Sequence, residues 1–267
     1  MSMITARLDQ YNNLATQPPF ASCQILFVLQ FVKFTVMETS NQVKATHKRI
    51  YLTRHAEAEH NVASDYSIHD APLTHRGREQ AKALHGATKD NIQQTAELLV
   101  SSAMRRPLST MVIGYPHLRK RLENESKVIV LPQLQECGDL PCDTGSPREH
   151  LESNPEFSGL DFSLVTEDWT SKAGFYASTD EALKARARWN RRWLRSRPER
   201  EIVVVSHGDC LRYITQGYNT HEPWANAEVR EYRFALETEE DKEGDAWLVP
   251  TGVIAREGGA KPTSSEL

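Results

Sequence analysis

The chain has 267 residues with 39% apolar and 25% charged content and a formal net charge of −4, which suits one large globular domain with a sizeable core. That charge balance argues against a protein that coats nucleic acid, although it permits a locally basic pocket for an anion. The four cysteines, Cys23, Cys137, Cys142 and Cys210, form no C-x-x-C pair and no zinc spacing, so no metal centre and no disulfide framework is expected, and a reducing, cytoplasmic location fits.

Residues 25–36 are an apolar run after a polar start, interrupted by Gln30 and Lys33. The run is too short for a membrane span and lacks the clean cationic start and cleavage site of a signal peptide, so a membrane partner is not expected, with membrane targeting through residues 21–37 as the alternative. Residues 1–47 are read as an appendage outside the catalytic fold, with Met37-Glu-Thr-Ser as an alternative start.

From residue 49 strand and helix patterns alternate. Ile50, Tyr51, Leu52 and Thr53 read as a buried strand with Arg54 and His55 at its carboxyl end. Residues 62–72 read as a loop, and Thr74 as the N-cap of a helix carrying Ala81, Leu84 and Ala87. After a second helical piece around residues 90–96, Leu98 to Val100 form the next strand, ending in Ser101-Ser102. A helix is predicted from about Arg106 to Ile113, with Pro107 tolerated in its first turn. Val128 to Leu131 give a third strand, followed by a loop-rich segment read as a cap insertion over about residues 137–178. A basic amphipathic helix over 180–196 is expected to turn its arginines to solvent. Ile202 to Val205 form a continuous apolar strand ending in Ser206-His207-Gly208, a helix follows to Gln216, and Val229 to Leu236 alternate like an outer strand. The domain is drawn over 48–255, with a polar, disordered tail over 256–267. The pattern predicts a three-layer α/β/α fold with a mostly parallel central sheet.

In such sheets ligands bind beyond the carboxyl ends of the strands. The strand ends here, or the turns after them, carry Arg54 and His55, Ser102 and Arg106, Leu134-Gln135-Glu136, and His207-Gly208. Two histidines, two arginines and a glutamate suit phosphoryl transfer. Arginines grip phosphoryl oxygens bidentately, a neutral imidazole can attack phosphorus, and a carboxylic acid can protonate the leaving oxygen. The four-residue step from Ser102 selects Arg106 over Arg105; Glu57 and Glu59 read as rim residues.

Other patterns carry less. Cys142-Asp-Thr-Gly-Ser-Pro-Arg148 has the C-x5-R outline of a thiol-phosphatase loop, but Leu140-Pro141 precedes it where a buried strand should, and Asp143 would set a carboxylate against the anion. Phe157, Phe162, Trp169, Phe175 and Tyr176 of the cap form either an apolar wall for substrate or the cap's own core. Asp143, Glu149 and Glu152 make the cap partly acidic, which disfavours highly phosphorylated substrates.

Arg54-His55-Ala56-Glu57 with Asn61 resembles the R-H-G-E-x-x-x-N signature of the histidine phosphatase superfamily, which includes phosphoglycerate mutases. Pro72-Leu73-Thr74 with Gly77, Gln80 and Ala81, Ser102 with Arg106 and Thr110, Leu134-Gln135-Glu136, and Val205-Ser206-His207-Gly208 resemble its later elements in order, across about residues 48–217. The resemblance implies His55 as nucleophile, Arg54, Arg106 and His207 as the phosphate pocket with Asn61 and Gly208 binding the same anion, and Glu136 as proton donor, with Asp139 as the fallback acid. It implies a small phosphorylated substrate as the partner and no cofactor; His60, His69, His75 and the other histidines have no ligand spacing such as H-E-x-x-H, so no metal is expected, and the oligomeric state stays open. Ala56 replaces the usual glycine, where a methyl would narrow the approach to the pocket, and R-H-A forms resemble phosphatases more than mutases. A metal-independent phosphatase acting through phosphohistidine is therefore expected, with a mutase, or a non-catalytic binding protein of the same fold, as alternatives.

Overall fold

A computed structural model of the chain describes residues 47–218, 223–236 and 244–256. The appendage expected over 1–47, apart from His47, and the tail over 256–267, apart from Arg256, lie outside the described residues.

Strands β1 (Arg49–Arg54), β2 (Leu98–Ser101), β3 (Val128–Val130), β4 (Glu201–Ser206), β5 (Val229–Phe234) and β6 (Leu248–Ala255) form a six-stranded sheet in the order β3-β2-β4-β1-β5-β6. The first four in that order run parallel, while β5 is antiparallel to β1 and β6 antiparallel to β5. The sheet is thus mixed. β6, an edge strand with Val253 and Ile254 exposed, carries no alternation in its sequence and was not expected. It displaces β5 from the edge.

The helices are α1 (Glu59–Ala63), α2 (His75–Thr88), α3 (Ile92–Thr95), α4 (Arg105–Gly114), α5 (Pro116–Leu122), α6 (Arg148–Glu152), α7 (Asp180–Ser196) and α8 (Gly208–Gln216). The strand sequences are apolar without a break because both sheet faces are covered. Tyr51, Leu99, Val203 and Val205 join a core with Leu84 of α2 and Leu108 and Met111 of α4. Their neighbours Ile50, Leu52, Leu98, Val100, Ile202 and Val204 join the opposite core, with Leu183 and Leu194 of α7 and Leu211 and Ile214 of α8. The period-two alternation of a strand divides one apolar run between two layers.

Between β3 and α7 the chain forms short 3-10 turns and α6, with no strand. Pro132, Pro141 and Pro155 open three of those turns, where a missing N–H costs nothing. Phe157, Phe162, Trp169 and Tyr176 are buried, and they share the core of Leu108 and Met111. Only Phe175 among the cap aromatics is 40% exposed. They are core residues, not a wall for substrate.

The loop expected over 62–72 begins two residues later, at Ser64, because α1 runs to Ala63. At α2, Thr74 Oγ1 accepts from Gly77 N at 2.8 Å, a cap of about 1 kcal/mol. Glu57 does not lie at the rim. It is 3% exposed, its backbone carbonyl accepts from Thr74 N at 3.0 Å, and its carboxylate accepts from Thr74 Oγ1 at 3.0 Å. This docking requires glycine at 77, since a Cβ there would lie 1.9 Å from Glu57 O. Gly77→Ala should therefore lower stability by about 1–3 kcal/mol, read as a fall in the urea midpoint; an unchanged midpoint would show that α2 can withdraw from Glu57 at no cost.

Candidate active site

β1 and β4 pair in register up to Arg54↔Ser206, and β2 meets β4 at Ser101↔Val205. The residues that follow, His55, His207 and Ser102, therefore leave the sheet at one level. After β1 the chain turns to the layer of α2 and α4, and after β4 to that of α7 and α8. Adjacent strands whose connections part to opposite faces leave a crevice at their ends. The two imidazoles meet there, with ring centroids 5.2 Å apart.

His55 is 1% exposed. Its Nδ1 lies 2.7 Å from Ala56 O, which can only accept, so Nδ1 carries the proton. Nε2 is then bare, and it accepts from Arg106 Nε at 3.1 Å. The turn is held by Ala56 N donating to Thr110 Oγ1 at 3.0 Å and by Asn226 Nδ2 donating to His55 O at 3.2 Å. Burial, then the charges of Arg106 and Arg54, hold the His55 pKa well below its ordinary value.

His207 caps α8, and its Nε2 lies 3.0 Å from Ser102 Oγ. Burial and Arg106 push its pKa down in the same way. Arg106 comes from the first turn of α4; beyond His55 it donates from Nη1 to Cys142 O at 2.6 Å. Arg54 donates from Nη1 to Trp224 O, and its charge acts on His55 and His60. Gly208 is buried as the first residue of α8.

Glu136 is 3% exposed. Its Oε1 accepts from Cys137 N at 3.0 Å and from Cys210 N, in the first turn of α8, at 3.1 Å. Burial, with Asp209 and Asp143 adding like charge, raises its pKa to about 7 despite Arg106. The site thus keeps its imidazoles neutral, and Glu136 still carries its proton at a pH where an ordinary carboxyl has lost it. Asp139, the fallback acid, is exposed and accepts from Ser178 Oγ at 3.4 Å; it stands outside this cluster. Asn61 Oδ1 accepts from Ala58 N at 3.1 Å, and its amide nitrogen lies 3.0 Å from His60 Nε2.

Several neighbours escaped the sequence reading. His60 is 3% exposed with its ring 6.0 Å from that of His55, and burial with Arg106 lowers its pKa to about 2; a five-residue step after a strand gave no periodic signal. Asn226 arrives from far along the chain, and nothing local marked it. The arginines of α7 do not all face water. Arg186 is 2% exposed and donates to Gln135 O and Glu136 O at 3.3 and 3.2 Å, while Arg191 stacks 3.7 Å over Trp247. A helix wheel cannot separate an arginine in solvent from one satisfied by buried carbonyls.

Cys142 is buried in a 3-10 turn with its thiol pKa raised to about 12, and Arg148 pairs with Glu152 on the surface. The C-x5-R outline therefore forms no anion loop. Among the described residues no group of three or more His, Cys, Asp or Glu side chains can hold a metal ion, and no helix is long and apolar enough to cross a membrane.

The profile of the histidine phosphatase superfamily (branch 1) matches residues 50–235. The chain belongs to the histidine phosphatase superfamily. A relative in Schizosaccharomyces pombe, named a probable phosphatase, is 32% identical over 197 residues, covering 72% of this chain and 88% of its own. The phosphoglycerate mutase-like protein 1 of Arabidopsis thaliana is 31% identical over 199 residues, 61% of this chain and 69% of its own. The solved alpha-ribazole phosphatase of Shigella flexneri covers 80% of this chain and all of its own at 21% identity and a TM-score of 0.49.

Within this histidine phosphatase Ala56 does not narrow the site. Its methyl is buried in a small cluster with Ala58, Ala71, Leu73, Ala81 and Ala227. The tautomer of His55 can be read directly. Imidazole 15N spectra should show His55 still neutral, with its proton on Nδ1, at pH values where a free imidazole is already protonated, since burial and two guanidiniums oppose a second proton; protonation of that ring at the ordinary imidazole value of 6.5 would contradict the site electrostatics.

Proposed function

We propose that this chain is a metal-independent phosphatase that hydrolyses a small phosphomonoester through a phosphohistidine on His55. The observation that carries this reading is the bare Nε2 of His55, oriented by Arg106 Nε at 3.1 Å. A nitrogen without its proton beside a fixed cation is both nucleophilic and placed where phosphoryl oxygens are drawn.

In this scheme Nε2 attacks phosphorus while Arg54 and Arg106 hold the non-bridging oxygens. Asn61, Gly208 and His207 complete the cradle. The ester P–O bond breaks, and the departing alkoxide takes the proton of the Glu136 carboxyl. The resulting carboxylate then removes a proton from water, whose oxygen attacks phosphorus. The P–N bond breaks, phosphate is released, and both residues return to their starting states. Glu136, with a pKa of about 7, is suited to give a proton in the first step and take one in the second.

A second reading is suggested by the mutase-like name of the Arabidopsis relative: the phosphoryl group returns to the substrate at another hydroxyl. Supplying 3-phosphoglycerate and measuring both 2-phosphoglycerate and free phosphate separates the readings, because a mutase makes isomer with little phosphate.

His55→Ala should abolish phosphate release across a phosphoester panel while leaving the circular dichroism spectrum unchanged; retained turnover refutes the phosphohistidine route. Glu136→Gln should lower kcat on alkyl phosphates by about 10²–10⁴-fold, with a smaller loss on p-nitrophenyl phosphate, whose leaving group needs no proton. For the native chain, kcat/KM should fall as pH rises through about 7, where Glu136 loses the proton it donates. A profile flat to pH 9 would remove Glu136 from the first step.

A further inference from the structure

Just past Glu136 the chain folds back over Arg106. The 3-10 turn Pro141–Asp143 is tied to the β1–α2 connection, with Cys142 N donating to Tyr66 O at 3.1 Å and Asp70 N to Pro141 O at 3.2 Å. Asp70, itself buried, accepts from Ser146 N and Oγ at 3.0 and 2.7 Å and from Arg105 N at 3.0 Å. The turn is therefore anchored to the same helix start that carries Arg106.

From this anchored turn two groups face the guanidinium. Cys142 O accepts from Nη1 at 2.6 Å. Asp143 Oδ1 lies 3.6 Å from Nη2, a nitrogen with no hydrogen-bond partner among the described residues. Both side chains are buried, at 0% and 1% exposure. Asp143 Oδ2 rests on Gly138, where a Cβ would lie 2.2 Å from it. The terminal nitrogens that a phosphoryl group takes bidentately thus face a carbonyl and a full negative charge supplied by the protein.

We propose that Asp143 is a positioning residue that acts as an internal counter-anion, facing the Arg106 guanidinium until the phosphoryl group takes that place and weakening the grip on inorganic phosphate so that it leaves. The inference rests on the phosphatase reading and adds to it a residue that sets product affinity. Two anions around one buried cation repel at a few Å, with little water between them. Loss of the Asp143 charge does not free Arg106, because His55 Nε2 and Cys142 O still hold it. The repulsion is therefore the effect that decides the sign.

Asp143 also helps keep Glu136 protonated. Glu136 is faced by Asp209 of α8, by Arg106 of α4 and by Asp143, by Lys172 of the cap, and by Cys137, whose thiol also faces Arg186 of α7 and Cys210 of α8. Removing one of the two carboxylates in that set favours ionisation of Glu136.

The test is the affinity of inorganic phosphate, measured by calorimetry at pH 7 on the native chain, Asp143→Asn and Gly138→Ala. The first substitution keeps the shape and removes the charge; the second drives the carboxylate off its seat. Both should bind phosphate about tenfold or more tightly than the native chain, and Asp143→Asn should move the basic limb of kcat/KM to lower pH, which loss of a merely structural contact would not do. Unchanged or weaker phosphate binding in folded Asp143→Asn overturns the proposal. Should that variant fail to fold, Gly138→Ala decides alone, and the same outcome overturns it. Binding requires no turnover, so tighter phosphate binding in a chain that hydrolyses no ester would refute the phosphatase reading while leaving the counter-anion in place.

Discussion

The site depends on one buried guanidinium. Arg106 is fully buried, and a charge without water is costly unless its hydrogen bonds are met by fixed partners. Those partners come from separate parts of the chain: His55 at the end of β1, Cys142 in the turn after Glu136, and Asp143 beside it. Satisfying one cation therefore brings together His55, the first turn of α4 and the turn that folds over them. Side chains far apart in sequence are held in register by a group that none of them can leave unpaired without a penalty.

The same burial sorts the protonation states. Desolvation disfavours charge of either sign, so it lowers His55, His207 and His60 and raises Glu136. Charged neighbours add to this. Arg106 lowers all three histidines and Arg54 lowers His55 and His60, while Asp209 and Asp143 raise Glu136 against the opposing charge of Arg106. Neutral bases and a protonated acid at one pH are what phosphorus attack with leaving-group protonation requires.

Beyond that centre Phe157, Phe162, Trp169 and Tyr176 of the cap are buried in the core that α4 shares. Ala56 belongs to a satellite cluster away from the imidazole ring, which removes the steric ground for choosing phosphatase over mutase from that residue.

The sequence by itself determined the apolar runs of β1 to β4, the cap on α2 and the set of polar residues at strand ends, because apolar runs and capping residues are local signals. It also placed Arg54, His55, Arg106, Glu136 and His207 in the ordered pattern of their superfamily. Only the tertiary structure decided which ring nitrogen of His55 is bare, since that follows from Ala56 O and Arg106 on either side. Only it showed that Glu136 is buried against α8 while Asp139 is exposed. It brought in His60, Asn226, Arg186 and Asp143, whose partners lie on other elements, and it added β6, which pairs with β5 without alternation of its own. A chain pattern records what each segment prefers alone; burial of charge is settled only when the segments meet.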